Sequence, residues 1–230
     1  MHLPANPVID RPTAVLPQYS LREDIASSVL HGIGMVLAIA GLAVLVAFAA
    51  RYGDAWHIIS SATFGTALIV CFTTSTLYHG IRAQYARPLL RTLDHVAIFL
   101  LIAGTYTPFT LVSLKGPWGW SLFGVIWTLA IVGIALRLVL NGRAHKTMVM
   151  IYLAMGWAVI VAVKPMLRQI APGGLALLAA GGIAYSVGVI FYKWRKLPYN
   201  HAIWHVFVMA GAALHFFAVL FYVIPGQPTS

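Results

Sequence analysis

Three histidines in this chain have the residue type and spacing of a metal site. His201 and His205 are four residues apart in His201-Ala-Ile-Trp-His205. On a helix they project from one face about one turn apart and can hold a single ion. His79 ends an apolar segment that contains Ser75-Thr-Leu-Tyr-His79. Three neutral imidazoles bind Zn²⁺ tetrahedrally and leave a fourth position for water, as in catalytic zinc sites. The sequence therefore predicts zinc as a cofactor, with His79, His201 and His205 as its ligands.

Two further side chains could do chemistry beside this metal. Asp94, one of only five acidic residues, begins an apolar segment, where a charged group is costly unless it has a partner or a task. Zinc lowers the pKa of its water to ~7, and Asp94 could take the proton, or orient the water, as hydroxide attacks a carbonyl. Ser75 lies one turn from His79, so its hydroxyl could stabilise the developing oxyanion. We interpret Asp94 and Ser75 as catalytic residues.

Each of these residues also has an ordinary structural interpretation. A histidine in a membrane helix can simply hydrogen-bond a neighbour, and Asp94 could pair with Arg91, three residues earlier on the same helix. Ser75 could be a helix-packing serine. His31 is left out of the ligand set, because packing or an interhelical hydrogen bond is the favoured interpretation. His215 is excluded because it lies ~21 Å beyond the start of the histidine pair's helix, at about 1.5 Å per residue.

Transmembrane helices must position these side chains. Hydrophobic residues make up 60% of the 230-residue chain and charged residues 9%, a composition that no water-soluble domain of this size could bury in one core. We therefore predict an all-α membrane protein, a bundle of seven transmembrane helices. The apolar runs long enough to cross ~30 Å of hydrocarbon lie at about 29–50, 57–79, 94–114, 118–140, 147–163, 172–192 and 201–224.

The basic residues predict the orientation of this bundle. With a cytoplasmic N-terminus and an outer C-terminus, eleven of the 15 Lys and Arg residues fall in cytoplasmic segments and four in outer segments, in agreement with the positive-inside rule. His79, Asp94 and His201 then all lie near the cytoplasmic face. The net charge of +10 reflects topology and contact with anionic lipid, and it indicates no nucleic-acid partner.

The chain is predicted to form one domain. Residues 1–24 are expected to be a polar cytoplasmic N-terminal arm without a removable signal peptide, and residues 25–226 a single seven-helix domain. No linker is long enough for a second domain. The single cysteine, Cys71, excludes an internal disulfide, and Pro108 predicts a kink near the outer end of the third helix.

Several motifs in combination resemble the bacterial hemolysin III family. They are Ser75-Thr-Leu-Tyr-His79, Leu93-Asp94-His95-Val-Ala-Ile-Phe99, Gly104-Thr-Tyr-Thr-Pro-Phe109 and His201-Ala-Ile-Trp-His205, and the likeness extends from about residue 22 to 224. This family is related to the progestin and adipoQ receptors and, more distantly, to alkaline ceramidases, a group of membrane hydrolases. The resemblance implies that the serine, aspartate and three histidines shared by that group are Ser75, Asp94, His79, His201 and His205. In the receptors the histidines bind zinc near the cytoplasmic face, and the aspartate contacts the zinc-bound water.

Three functions are compatible with these features. The first is a zinc-dependent hydrolase of lipid amide or ester bonds, set in the bacterial inner membrane with membrane lipids as substrate or ligand. The second is a non-enzymatic regulator of membrane lipid state, in which zinc ties helices together; the resemblance implies it through the family's link to membrane fluidity. The third and least supported is a haemolytic pore former, after the activity that gave the family its name. The sequence names neither the lipid nor the oligomeric state.

Overall fold

The structure, a computed structural model, describes residues 19–140 and 145–225, and its regular elements there are all helical. Seven stretches are long and apolar enough to cross a membrane, which confirms the predicted all-α bundle. The fifth, Lys146–Gln169, contains the 3-10 turn Ala158–Ala162 between two α-helical parts. The α-helices are α1 Leu21–Tyr52, α2 Ala55–Gly80, α3 Arg87–Pro108, α4 Pro117–Val139, α5 His145–Trp157, α6 Val163–Gln169, α7 Pro172–Lys193 and α8 Asn200–Tyr222.

Helix α1 begins before the predicted span, which starts at about residue 29. Ser20 caps it, since its Oγ accepts a hydrogen bond from the backbone N of Glu23 at 3.1 Å. Glu23 and Asp24 occupy the first turn, where the helix dipole favours acidic groups. Most of the predicted arm, residues 1–24, lies outside the described residues. The early start of α1 places Asp24 inside the bundle.

Helix α3 and the segment after it form the most enclosed of the seven spans. Directly after Pro108 the helix becomes the π-helical turn Phe109–Ser113. Proline cannot donate a backbone hydrogen bond, and π turns commonly mark such irregularities in α-helices. Thr107 and Thr110 each donate a hydroxyl hydrogen bond to a carbonyl one turn earlier, so both buried hydroxyls are satisfied. The helix therefore changes geometry at the residue where a kink was predicted.

The spans form a closed arrangement in which sequence neighbours pack side by side and α8 returns to α1. This brings the end of α2 and the starts of α1, α3 and α8 to one end of the bundle. Close approach between helices depends on glycine at particular positions. Gly119, in the first turn of α4, faces the carbonyl oxygen of Thr110 so closely that an added Cβ would lie 2.1 Å from it.

We expect Gly119→Ala to destabilise the protein because the Cβ would meet backbone atoms that cannot move aside. Overpacking of this kind costs roughly 1–3 kcal/mol. Gly124, on the same helix, is the matched control, since nothing lies within 4 Å of its Cβ position. Gly124→Ala should leave the thermal unfolding midpoint in detergent unchanged or raise it, because alanine is the better helix former. Equal midpoints for the two variants would contradict this packing.

Candidate metal centre

The imidazoles of His79, His201 and His205 meet where α2 ends and α8 begins. His79 Nε2 lies 3.1 Å from His201 Nε2 and 3.2 Å from His205 Nε2. All three side chains are buried, and one ligand atom from each lies within 4.8 Å of the others. The structure thus brings together the three histidines predicted as ligands, and they could bind one metal ion.

The spacing of these nitrogens fits a tetrahedral metal. Two nitrogens that each bind zinc at about 2.0–2.1 Å in tetrahedral geometry are about 3.3 Å apart, close to the distances between the histidine Nε2 atoms. Lone pairs of buried imidazoles that face one another repel unless a proton or a cation lies between them. A cation bound by all three nitrogens removes that repulsion. The donor set therefore suits zinc and other ions that imidazole binds.

A carboxylate that was not predicted from the sequence orients His79. Asp24 Oδ1 lies 2.9 Å from His79 Nδ1, and the Asp24 side chain is 1% exposed. An ionised carboxylate only accepts hydrogen bonds, so Nδ1 of His79 donates and Nε2 keeps its lone pair. Carboxylates commonly orient metal-binding imidazoles in this way. Asp24 thus fixes the tautomer in which His79 can be a ligand.

Two arginines compensate the buried charge of Asp24. Arg87 Nη2 donates to both carboxylate oxygens, at 3.1 and 2.9 Å. Arg82 Nε lies 3.5 Å from Oδ2. A buried carboxylate is retained only when such partners offset its desolvation. A sequence signal for this residue exists, because the spacing of the polar residues Asp24, Ser27 and His31 places them on one helix face. In the structure all three are buried.

His201 is held by the segment that leads into α1. The backbone N of His201, in the first turn of α8, donates to Glu23 Oε1 at 3.1 Å, which satisfies a donor that has no partner within its own helix. The Tyr19 hydroxyl lies 3.3 Å from His201 Nδ1, and the two rings stack at 4.5 Å. Burial raises the pKa of Tyr19, so its neutral hydroxyl can accept from Nδ1. His201 Nε2 is then left for a metal.

Asp94 and Ser75 lie beside the three histidines. Both are buried, and Asp94 interacts electrostatically with His79 and with the Ser75 side chain. Ser75 Oγ nonetheless has no partner within hydrogen-bond distance in the described part of the chain. The alternative pairing of Asp94 with Arg91 is not formed at ion-pair distance, whereas His95 Nδ1 lies 3.8 Å from Asp94 Oδ2. Among the described residues, Asp94 is thus not paired with an arginine.

A cavity of about 170 Å³ adjoins the histidines. Its polar end contains Arg91, Asp94, His201 and His205, and most of the remaining wall is apolar. The wall includes residues of both α5 and α7, two helices that make little contact with each other. The wall residues from those two helices are Val149, Tyr152, Leu153, Gly156, Trp157, Gly182, Tyr185, Ser186, Val189 and Tyr192.

His31 and His215 lie outside the three-histidine group, as expected. The His31 ring contacts the His205 ring edge-on, with centroids 3.8 Å apart, and neither His31 nitrogen has a hydrogen-bond partner among the described residues. His215 Nε2 lies 3.2 Å from the carbonyl oxygen of Leu178. His215 lines the far part of the cavity, so it shares the space without joining the cluster.

Metal content tests the site directly. We expect protein purified in metal-free buffer to carry about one zinc ion per chain, because three buried imidazoles converge on one point. The double substitution His201→Ala, His205→Ala removes two of the three ligands and should abolish that zinc while circular dichroism still shows a helical protein. His57→Ala, at the opposite end of α2, is the control and should keep its metal. A well-folded wild type without metal would show that the histidines are polar packing.

Asp24→Asn should weaken metal binding without removing a ligand. The amide can donate to His79 Nδ1 and thereby favour the wrong tautomer, and loss of such a partner typically costs 10- to 100-fold in metal affinity. Competition with a chromogenic chelator measures that affinity. Asp54→Asn, in the turn between α1 and α2, serves as the matched control. An unchanged metal affinity in Asp24→Asn would mean that the carboxylate only pairs with Arg82 and Arg87 and does not orient His79.

Comparison with known proteins places this arrangement in a family. The family model described as "Haemolysin-III related" matches residues 19–216. The chain is 47% identical over 205 residues to "Hemolysin-3" of Bacillus cereus, covering 89% of this chain and 94% of that protein. It is 46% identical over 206 residues to "Hemolysin-3 homolog" of Bacillus subtilis (strain 168), covering 90% and 97%. "Monocyte to macrophage differentiation factor" of Homo sapiens is 30% identical over 205 residues, covering 86% and 83%.

These matches span the elements that build the site. The matched residues run from Tyr19 through both histidines of α8, so they include every side chain described around the cluster. Seven apolar spans indicate a multi-pass membrane protein, and the bacterial relatives imply the plasma membrane. The seven-helix fold, the three buried histidines and the extent of these matches together lead to one assignment. The chain belongs to the haemolysin-III related family.

Proposed function

We propose that this protein is a zinc-dependent hydrolase that cleaves an amide or ester bond in a membrane lipid. The observation that carries the proposal is a cluster of three buried histidine Nε2 atoms, two of whose histidines, His201 and His205, line the same apolar cavity as the buried carboxylate of Asp94. Three ligands leave a coordination position open, as catalytic zinc sites require. The excess of basic residues at this end of the bundle supports a site near the cytoplasmic face.

Each polar side chain at the site has a role in such a reaction. Zinc held by His79, His201 and His205 would supply Lewis acidity toward the carbonyl and toward the attacking water. Asp94 accepts the proton from water and returns it to the leaving nitrogen or oxygen. The Ser75 hydroxyl, which lacks a hydrogen-bond partner among the described residues, is available to donate to the developing oxyanion.

The cavity wall supports a lipid as the substrate class. Its surface beyond the polar end is mostly apolar and reaches the sparse contact between α5 and α7. A substrate dissolved in the bilayer enters there without crossing water, and its acyl chain gains contact with the wall. On the outer edge of this region, Trp157 Nε1 donates to Ser186 Oγ at 2.9 Å. This bond joins the two helices across the proposed entry.

A second candidate is a non-enzymatic regulator of membrane lipid state with a structural metal. The observation that favours it is the way the site joins distant elements, since Asp24 connects α1 to α2 and α3 while the histidines connect α2 to α8. A bound ion would then act as a clamp. A lytic pore has less support, because it rests on the name of the Bacillus cereus relative, "Hemolysin-3".

Asp94→Asn should abolish hydrolysis while the metal remains bound. Purified protein reconstituted with ceramide or phospholipid pools is expected to release fatty acid, measured by mass spectrometry. Loss of the proton acceptor should lower the rate roughly 10²- to 10⁴-fold, whereas Ser75→Ala should cost less. Asp54→Asn is the matched control and should hydrolyse lipid at the wild-type rate.

Two results would contradict this mechanism. Fatty-acid release that is unchanged in Asp94→Asn would exclude the aspartate as proton acceptor. No release from any lipid pool by metal-loaded wild type, together with a fall in the unfolding midpoint on chelation, would instead favour the structural-metal alternative.

A further inference from the structure

Two buried arginines near the histidines have no partner that accounts for them. Arg91, in the first turns of α3, is 8% exposed, and Arg137, in the last turn of α4, is 4% exposed. Within residues 19–140 and 145–225, neither guanidinium has a carboxylate at ion-pair distance or donates a hydrogen bond to a protein group. Arg137 Nε is completely buried without a hydrogen-bond partner. An unpaired buried cation is among the costliest groups a protein can hold.

Of the acidic groups that the structure describes, all but Asp94 pair with other residues or lie at the other end of the bundle. Asp24 pairs with Arg82 and Arg87, and Glu23 accepts from the backbone of His201. Asp54 lies in the turn at the opposite end of α2. Asp94 is the one nearby carboxylate, and a single negative charge cannot neutralise both Arg91 and Arg137. The region therefore keeps a net positive charge in a setting where few groups can screen it.

Contact with lipid headgroups does not explain these two side chains. A membrane arginine lowers its cost by extending to the interface, and this snorkelling leaves the guanidinium exposed. Arg91 and Arg137 are instead enclosed among the helices, and their charges act on each other and on Asp94. A ligand that carries a negative charge would offset the cost of these two enclosed positive charges.

The residues that line the cavity indicate what kind of ligand would fit it. Arg91 lines the polar end together with Asp94, His201 and His205. Arg137 itself does not line the cavity, but it lies within electrostatic range of Arg91, Tyr152 and Tyr192, which do. The wall beyond this end is mostly apolar. A ligand that matches both parts has an anionic head and a hydrocarbon chain.

We propose that Arg91, supported by the nearby charge of Arg137, binds an oxyanion, a phosphate or carboxylate, carried by a lipid whose chain occupies the cavity. The planar guanidinium fork matches the geometry of both oxyanions and binds them through paired hydrogen bonds. Binding itself does not require turnover. That the anionic lipid is the substrate or product of the site, however, rests on the proposed function.

Ligand-dependent thermal stabilisation tests this site. The protein is first treated with a chelator, so that it cannot bind anions through a metal. In neutral detergent it is then titrated with a fatty acid or with phosphatidic acid. The matched neutral ligands are the fatty alcohol of equal chain length and diacylglycerol, and inorganic phosphate is the anion without a chain. A ligand that binds the folded state raises the unfolding midpoint in proportion to its affinity. We expect a rise with at least one anionic lipid and none with its neutral counterpart.

Substitutions of the two arginines locate the binding. Arg91→Gln should weaken the response to the anionic lipid roughly tenfold or more, because charge-assisted hydrogen bonds are lost. Arg137→Gln should weaken it to a smaller extent, because a nearby positive charge is lost. Arg22→Gln is the matched control, since Arg22 is exposed at the same end of the bundle and its loss should leave the response unchanged. In the absence of ligand, Arg137→Gln should be at least as stable as wild type, because it removes an uncompensated buried charge.

Several outcomes would overturn the proposal. Equal stabilisation of wild type by anionic and neutral lipids would do so without any variant. An equal response in Arg137→Gln, Arg91→Gln and Arg22→Gln would place binding elsewhere, and a stronger effect of inorganic phosphate than of either lipid would exclude a lipid ligand. If the fatty acid acts and phosphatidic acid does not, the oxyanion is a carboxylate, and the reverse indicates a phosphate. If a lipid binds but is never hydrolysed, the binding site proposed here is supported and only the proposed function is contradicted.

Discussion

The buried carboxylate of Asp24 is the interaction on which the rest of the site depends. It accepts hydrogen bonds from His79 on α2 and from Arg87 on α3 while it belongs to α1 itself. In a medium of low polarity, separating any of these partners would leave a charge without compensation. The network therefore holds three helices in register and presents His79 Nε2 toward α8. Neither α5 nor α7 contributes to the Asp24 network, so the network is compatible with the lipid entry that we propose between those two helices.

Much of the architecture could be predicted from the sequence, because membrane spanning imposes simple rules. Apolar length indicated seven helices, and the spacing of His201 and His205 placed both on one face of α8. Helix position also placed Asp94 and Ser75 near His79, and in the structure Asp94 lies close to both His79 and Ser75. Pro108 marked the point where the third span changes to π geometry. These successes share a cause: each rests on local periodicity or on a residue whose chemistry restricts its surroundings.

The parts that could not be predicted depend on packing between helices. Asp24 fell in a segment expected to be a polar arm, since hydropathy finds the apolar part of a helix and misses a polar extension of it. Arg91 and Arg137 are separated by a whole helical hairpin in the sequence, and only the fold brings their charges together. The cavity likewise has no sequence signature, because its wall comes from many helices. Such features require the arrangement of the helices in space.

We infer that three histidines hold a metal ion with one coordination position left open for chemistry. X-ray absorption spectroscopy at the zinc edge, on protein loaded with one equivalent of zinc, measures that coordination. We expect three imidazole nitrogens at about 2.0–2.1 Å and one further oxygen ligand, with the imidazole signal reduced in the His201→Ala, His205→Ala protein. A sulfur ligand, four imidazoles, or a spectrum of hydrated zinc free in solution would contradict the site described for His79, His201 and His205.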